Sequence, residues 1–272
     1  MTENKPQILL TNDDGIHSPG LWAAAEALES LGFVHVVAPL YQQTAAGHSM
    51  PSNSSGIIET LSLQINGRDW TVYAVDGSPG QAVLHGVFDV IKHKPDLVVS
   101  GINYGENVGA TLTVSGTVGA ALQAATLGIP ALAVSLQTKQ EYHLSHSRDI
   151  DFDVAAFFTQ KFAKLLLETR LPFDVEILKI DVPADATRDT PWVLTRQSRE
   201  RYYINIMAER SELSDPGPIS YKIDCDPERL EPNGDIRAVA IDKKVSVTPI
   251  SFDMTSRVDF TMLMNMLEEG LA

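Results

Sequence analysis

Cysteine is nearly absent from this 272-residue chain: Cys225 stands alone. One thiol closes no intrachain disulfide and gives no Cys-based zinc site. Such a composition fits a reducing compartment, and the expected location is cytoplasmic. Basic residues are also few, 21 Lys and Arg against 35 Asp and Glu, for a formal net charge of -14. So acidic a chain lacks the basic surface that non-specific nucleic-acid or membrane binding needs; neither partner is expected, and a small phosphorylated substrate held by local donors stays open. No apolar run reaches the length of a membrane span, and residues 1–7 are polar, without the apolar core of a signal segment. Three motifs are missing as well. The first βα turn has no G-x-G-x-x-G, no Gly-rich loop ends in Gly-Lys-Ser/Thr, and no G-x-S-x-G elbow occurs. These absences argue against a dinucleotide fingerprint, a Walker loop and a serine hydrolase.

What the chain does have is organised around Ile8-Leu9-Leu10-Thr11-Asn12-Asp13-Asp14-Gly15. The apolar run reads as a short strand buried on both faces, as in a parallel sheet. Ligands of open α/β sheets sit outside the carboxyl ends of the strands, where Asn12, Asp13 and Asp14 fall. Adjacent carboxylates repel, and a hard divalent cation with oxygen ligands relieves that repulsion. On this stretch alone, a solvated Asp-Asp-Gly turn is equally open.

Helical spacing over residues 19–31, after Ser18-Pro19, and a strand over 34–38 complete a β-α-β unit with an expected parallel pair. Residues 41–56 form a long polar loop at the same sheet edge, with Thr44, His48 and Ser49 as its chemical candidates. His48 reads as a loop histidine bonded to backbone, and Thr44 as a surface hydroxyl unless something pairs with it. Asn66-Gly67 predicts a hairpin, and Ser78-Pro79 a capped helix. The strand over 97–100 delivers a Gly/Asn loop, 101–109, ahead of Ser115-Gly116-Thr117 and an Ala-rich helix over 118–127. Hydroxyls, backbone N–H groups and a helix dipole converge there, which favours an anion cradle over a plain cap. His143 and His146 have no acidic pattern near them and are not read as metal ligands. Beyond a strand at 175–182, short strand-like runs at 192–195, 202–207, 219–223, 236–241 and 245–250 suggest a protruding β-rich part, with a closing helix over 259–267.

Asn12-Asp13-Asp14-Gly15, Gly47-His48-Ser49, Ser100-Gly101-x-Asn103-x-Gly105-x-Asn107-x-Gly109, Ser115-Gly116-Thr117-Val118-x-Ala120-Ala121, Thr195-Arg196-Gln197 and Ser246-Val247-Thr248-Pro249 occur in this order over nearly the whole chain. Together they resemble the SurE (survival protein E) family of 5'/3'-nucleotidases. The resemblance implies a single SurE-like domain, 1–272: a Rossmann-like, mostly parallel α/β core over 1–185, and a β-rich extension with a C-terminal helix over 186–272, used in oligomer contacts. It implies a metal-dependent phosphomonoesterase acting on nucleoside 5'-monophosphates, and on 3'-monophosphates, with Asp13 and Asp14 catalytic. The family's metal ligands fall on Asp13, Asp14, Thr44 and Asn103. Its phosphate pocket falls on Asn107, Ser115, Gly116 and Thr117, with Asn12 beside them as a substrate-binding residue. A homodimer or homotetramer, commonly built by exchange of C-terminal elements, is expected. The chain departs from the family at Thr44, where Ser is usual; at Lys179 and Asp181, where Asn is usual; and at Asp242-Lys243-Lys244, where the turn normally contains Gly. The last two departures are expected at the periphery.

Oxygen donors without His or Cys favour one Mg²⁺ or Mn²⁺ per subunit over Zn²⁺. A second reading of the same residues is a nucleotide- or phosphate-binding regulatory module without turnover. The Asp pair discriminates, since a simple phosphate binder does not need it.

Overall fold

The stretches of alternating and continuous apolar character become strands of one large sheet. A computed structural model describes residues 5–271; residues 1–4 of the polar N-terminal stretch, and Ala272, lie outside the described residues. The elements run β1 (Gln7–Thr11), α1 (Pro19–Leu28), β2 (Phe33–Pro39), β3 (Ile58–Ile65), β4 (Arg68–Val75), α2 (Pro79–His85), β5 (Leu97–Tyr104), α3 (Gly116–Thr126), β6 (Ala131–Leu136), α4 (Asp153–Glu168), β7 (Ile177–Val182), β8 (Trp192–Leu194), β9 (Tyr203–Ile206), β10 (Ser220–Ile223), β11 (Val245–Ile250) and α5 (Phe260–Leu271).

Nine strands form the sheet in the order β3-β4-β2-β1-β5-β6-β7-β11-β8. The six from β4 to β7 are mutually parallel. Alternation along each strand splits the core in two. Ile8 and Leu10 face α1 and α4 with Trp22, Leu28, Phe158 and Phe162. Leu9 faces the other way, toward α2 and α3 with Val83, Val118 and Ala121. Both faces are therefore covered, as a parallel sheet requires.

From β1 the chain winds outward to β2 on one side, then returns to β5 and winds outward the other way. The chain leaves β1 and β5 toward opposite faces of the sheet, and at such a topological switch point open α/β sheets hold their ligands. That is the edge where the Asp pair was expected.

Local signals hold well in the first half. Asn66 and Gly67 join β3 to β4, with Ile65 opposite Arg68. Ser78 and Gln81 cap α2 reciprocally: the Ser78 hydroxyl accepts from Gln81 N and the Gln81 amide accepts from Ser78 N. The C-terminal third differs from expectation. β8 and β11 do not protrude but extend the main sheet, β11 antiparallel to β7 and parallel to β8. Arg237–Ile241 is a π-helical turn, not a strand. Among the described residues, only β9 and β10 form a separate two-stranded sheet.

Candidate active site

Asp13 and Asp14 leave β1 at the switch point and are almost completely buried, 4% and 1% exposed. The Thr117 hydroxyl donates to Asp13 Oδ1 at 2.7 Å. Gln42 Nε2 donates to Asp14 Oδ1 at 2.9 Å, and the Tyr104 N–H to Asp14 Oδ2 at 3.2 Å. Three segments thus grip the pair: the loop after β2, the end of β5 and the start of α3. Burial pushes both carboxyl groups above the ordinary carboxylate range, against the hydrogen bonds that hold them; for Asp14 the neighbouring Asp13 charge adds to the rise. Gly116 lets this happen, because a Cβ there would stand 2.7 Å from the Asp13 Cβ. Asn12 turns its amide back on Gly15, donating to its carbonyl and accepting from its N–H, both at 3.1 Å. It shapes the turn that presents the two acids.

Asn103 stands half-buried at the end of β5. Its Nδ2 donates to the Gly105 carbonyl at 2.7 Å, which leaves Oδ1 as the amide atom without a hydrogen-bond partner among the described residues. Gly101 (φ +133°) makes the irregular approach possible, since a Cβ there would collide with the Val134 carbonyl. Asn107 follows, its Nδ2 donating to Ser135 Oγ at 2.9 Å. Ser115 caps α3 by accepting from Val118 N at 3.2 Å. Thr44 is exposed. The Gln43 N–H beside it donates to the Asp13 carbonyl at 2.7 Å, so its loop runs along the Asp pair.

Oxygen-rich, doubly acidic, and set at a helix N-terminus beside a Gly/Asn loop, this arrangement suits a cation and an anion side by side. The family model for survival protein SurE matches residues 8–204. The chain belongs to the SurE family. It is 42% identical over 263 residues to a 5'-nucleotidase SurE of Thermococcus gammatolerans, covering 96% of each chain. It is 41% identical to the 5'-nucleotidase SurE of Thermococcus kodakarensis, covering 93% of this chain and 95% of that one. A crystal structure of the SurE protein from Aquifex aeolicus superposes with a TM-score of 0.75 at 31% identity, covering 98% of this chain and all of that one.

Against the SurE pattern, the structure gathers Asp13, Asp14, Asn103, Ser115, Gly116 and Thr117 at one edge of the sheet. Several expectations change. The Thr117 hydroxyl, expected on phosphate, holds Asp13, and the Asn12 amide is engaged on Gly15. His48 bonds the Gln123 side chain at 2.8 Å, where backbone was expected. His146, set aside from sequence, donates from Nε2 to the Asp14 carbonyl at 2.7 Å. Gln42 was also missed; its place in the loop beside Thr44 was the available signal. Lys179 and Asp181, expected at the periphery, are wholly buried and reach the backbone of Asn107. The clue was in the sequence: opposite charges two apart on an otherwise apolar strand share one face.

Proposed function

We propose that this chain is a 5'-nucleotidase: a metal-dependent phosphomonoesterase that hydrolyses nucleoside 5'-monophosphates, and 3'-monophosphates alongside them, to nucleoside and phosphate. The observation that carries this reading is the buried, adjacent Asp13–Asp14 pair at the switch point. Two like charges confined there repel each other, and a cation relieves them. The names of the Thermococcus relatives support the substrate class.

The residues fit one Mg²⁺ or Mn²⁺ per subunit. Among the described residues, no three His, Cys, Asp or Glu side chains gather as a metal cluster, so the two carboxylates need neutral oxygens beside them. Asn103 Oδ1 and the Thr44 hydroxyl are the oxygens assigned, and an all-oxygen set favours a hard cation. Such a cation supplies Lewis acidity toward a phosphoryl oxygen and a water of lowered pKa. The chain's own groups do the rest. Thr117 fixes Asp13, and Gln42 with the Tyr104 N–H fixes Asp14. The N-terminus of α3, with Ser115 and Gly116, and the Asn107 amide meet charge on the phosphoryl oxygens. A water oxygen bonds to phosphorus and gives up a proton, the ester P–O bond breaks, and the leaving alkoxide takes up a proton in exchange, so none is gained or lost on balance.

The same proposal includes a cytoplasmic homodimer or homotetramer. α5 buries none of its residues on its own chain, and Phe260, Met264, Met266 and Leu271 are all more than half exposed. No helix among the described residues is long and apolar enough to cross a membrane. The test is phosphate release from a nucleoside 5'-monophosphate, with Mn²⁺ and with excess chelator. Release that chelator abolishes and Mn²⁺ restores is expected, with internal phosphodiesters of single-stranded RNA left intact. Metal-independent release, or rapid RNA cutting, contradicts the reading.

A further inference from the structure

β7 reads Ile177-Leu178-Lys179-Ile180-Asp181-Val182 and is buried throughout. Lys179 and Asp181 share the face opposite Ile180, and Asp235, also 0% exposed, meets them from the C-terminal third. Lys179 Nζ donates to Asp181 Oδ2, and to Asp235 Oδ2 at 3.3 Å. Burial opposes the lysine charge, but the two carboxylates outweigh it and hold Lys179 protonated. With three formal charges, one positive and two negative, the cluster keeps an excess of one negative. Backbone donors meet that excess. The Asn107 N–H donates to Asp181 Oδ1 at 2.7 Å. The N–H groups of Gly109, Ser198 and Ile236 donate to Asp235 at 3.2, 2.9 and 2.9 Å.

The other backbone groups of the same limb are held too. Lys179 Nζ donates to the Asn107 carbonyl at 2.8 Å. Gln197 Nε2 donates to the Gly109 carbonyl at 3.1 Å, and the Ala110 N–H donates to the Glu200 carbonyl at 2.9 Å. So the motif at 195–197, together with Asp235, closes from far along the chain on the loop that carries Asn107. Asn103, Ser135 and Asp181 are successive partners across β5, β6 and β7. That sets the cluster about 10 Å from Asn103 at ordinary strand spacing.

A buried ion cluster is a poor source of net stability, because desolvation offsets the attraction. Its specific bonds to residues 107–109 give it another role. We propose that Lys179, Asp181 and Asp235 are positioning residues: the cluster fixes the backbone at 107–109 so that the Asn107 side chain meets the phosphoryl group. This rests on the phosphatase reading above.

The test compares Lys179→Met with the parent for binding of inorganic phosphate in the presence of Mn²⁺, for KM on a nucleoside 5'-monophosphate, and for Mn²⁺ affinity. The Kd for phosphate and KM should each rise about tenfold, short of the roughly hundredfold that a 1 Å misplacement can cost, while Mn²⁺ affinity stays that of the parent. Ile180→Val, on the opposite face of β7, should lower Tm and leave phosphate binding unchanged. A merely structural role would move both variants alike. In the double variant Asn107→Ala/Lys179→Met the losses should not add, because one acts through the other. Asp181→Asn, which preserves shape, replaces Lys179→Met if that variant fails to fold. Parental phosphate affinity in the folded variant, or additive losses in the double variant, overturns the proposal. A parent that releases no phosphate from any nucleoside monophosphate strikes the phosphatase reading instead, so the two failures are distinct.

Discussion

Asp181 is pushed by burial from an ordinary 3.8 to about 6, against the pull of Lys179. Between those values the folded chain keeps a proton that the unfolded chain has lost, so stability falls as pH rises through that window. Asp13 and Asp14, also raised by burial, act in the same direction. His35 and His143, held down by burial, act the opposite way over the same range, so the Asp pair is read through the metal: Mn²⁺ should raise Tm more at pH 7 than at pH 5. Thermal melts with and without chelator at the two pH values check this; a Mn²⁺-induced rise in Tm that is larger at pH 5 contradicts it. The Asp pair was legible in the sequence because neighbouring like charges at a strand end are anomalous on their face. Thr117 and Lys179 were less so. Which group a buried hydroxyl or ammonium serves depends on partners 104 and 56 residues away, Asp13 and Asp235, and no local pattern encodes those distances.

Helices and strands with a complete set of local signals landed where the sequence puts them: the hairpin at Asn66-Gly67, the Ser78 capping box and the Ser115 cap of α3. The C-terminal third was misread because short β-branched runs such as Ile236–Ile241 fit a strand and a buried turn equally well, and length alone does not separate them. Its real use is partly inward. β11 pairs with β7 and so holds the strand that carries Lys179 and Asp181. α5, which buries none of its residues on its own chain, is where the proposed oligomer contacts would fall. Its exposed methionines and leucines form an apolar face too large for a solvated helix. Ending the chain after residue 258 should lower the oligomeric mass measured by light scattering while leaving the α/β core folded, since α5 contributes no buried residue to it. An unchanged oligomer without α5 would move the interface elsewhere, with the β9–β10 sheet next in line.

Across the whole molecule, the sheet order decides where chemistry can occur. Strand order reverses between β1 and β5, the place where open α/β sheets hold their ligands, and the acids of β1, Asn103 at the end of β5 and the N-terminus of α3 lie at that edge. The net charge of -14 means that the proposed phosphoryl group would be received only where a helix end and a bound cation offset the acids around it. The most direct test is calorimetric titration of Mn²⁺ into the parent, Asp13→Asn, Asp14→Asn and Thr44→Ala. Each Asp→Asn change keeps shape and removes one negative charge, so both should fold normally, as judged by circular dichroism, and lose more than the roughly tenfold in affinity that loss of an outer-shell partner alone can cost. Thr44→Ala should lose less, since water can replace a neutral hydroxyl. One Mn²⁺ per parent chain, weakened in this order with turnover falling in step, is the expected result. Asp13→Asn and Asp14→Asn proteins that bind Mn²⁺ and release phosphate like the parent would contradict it.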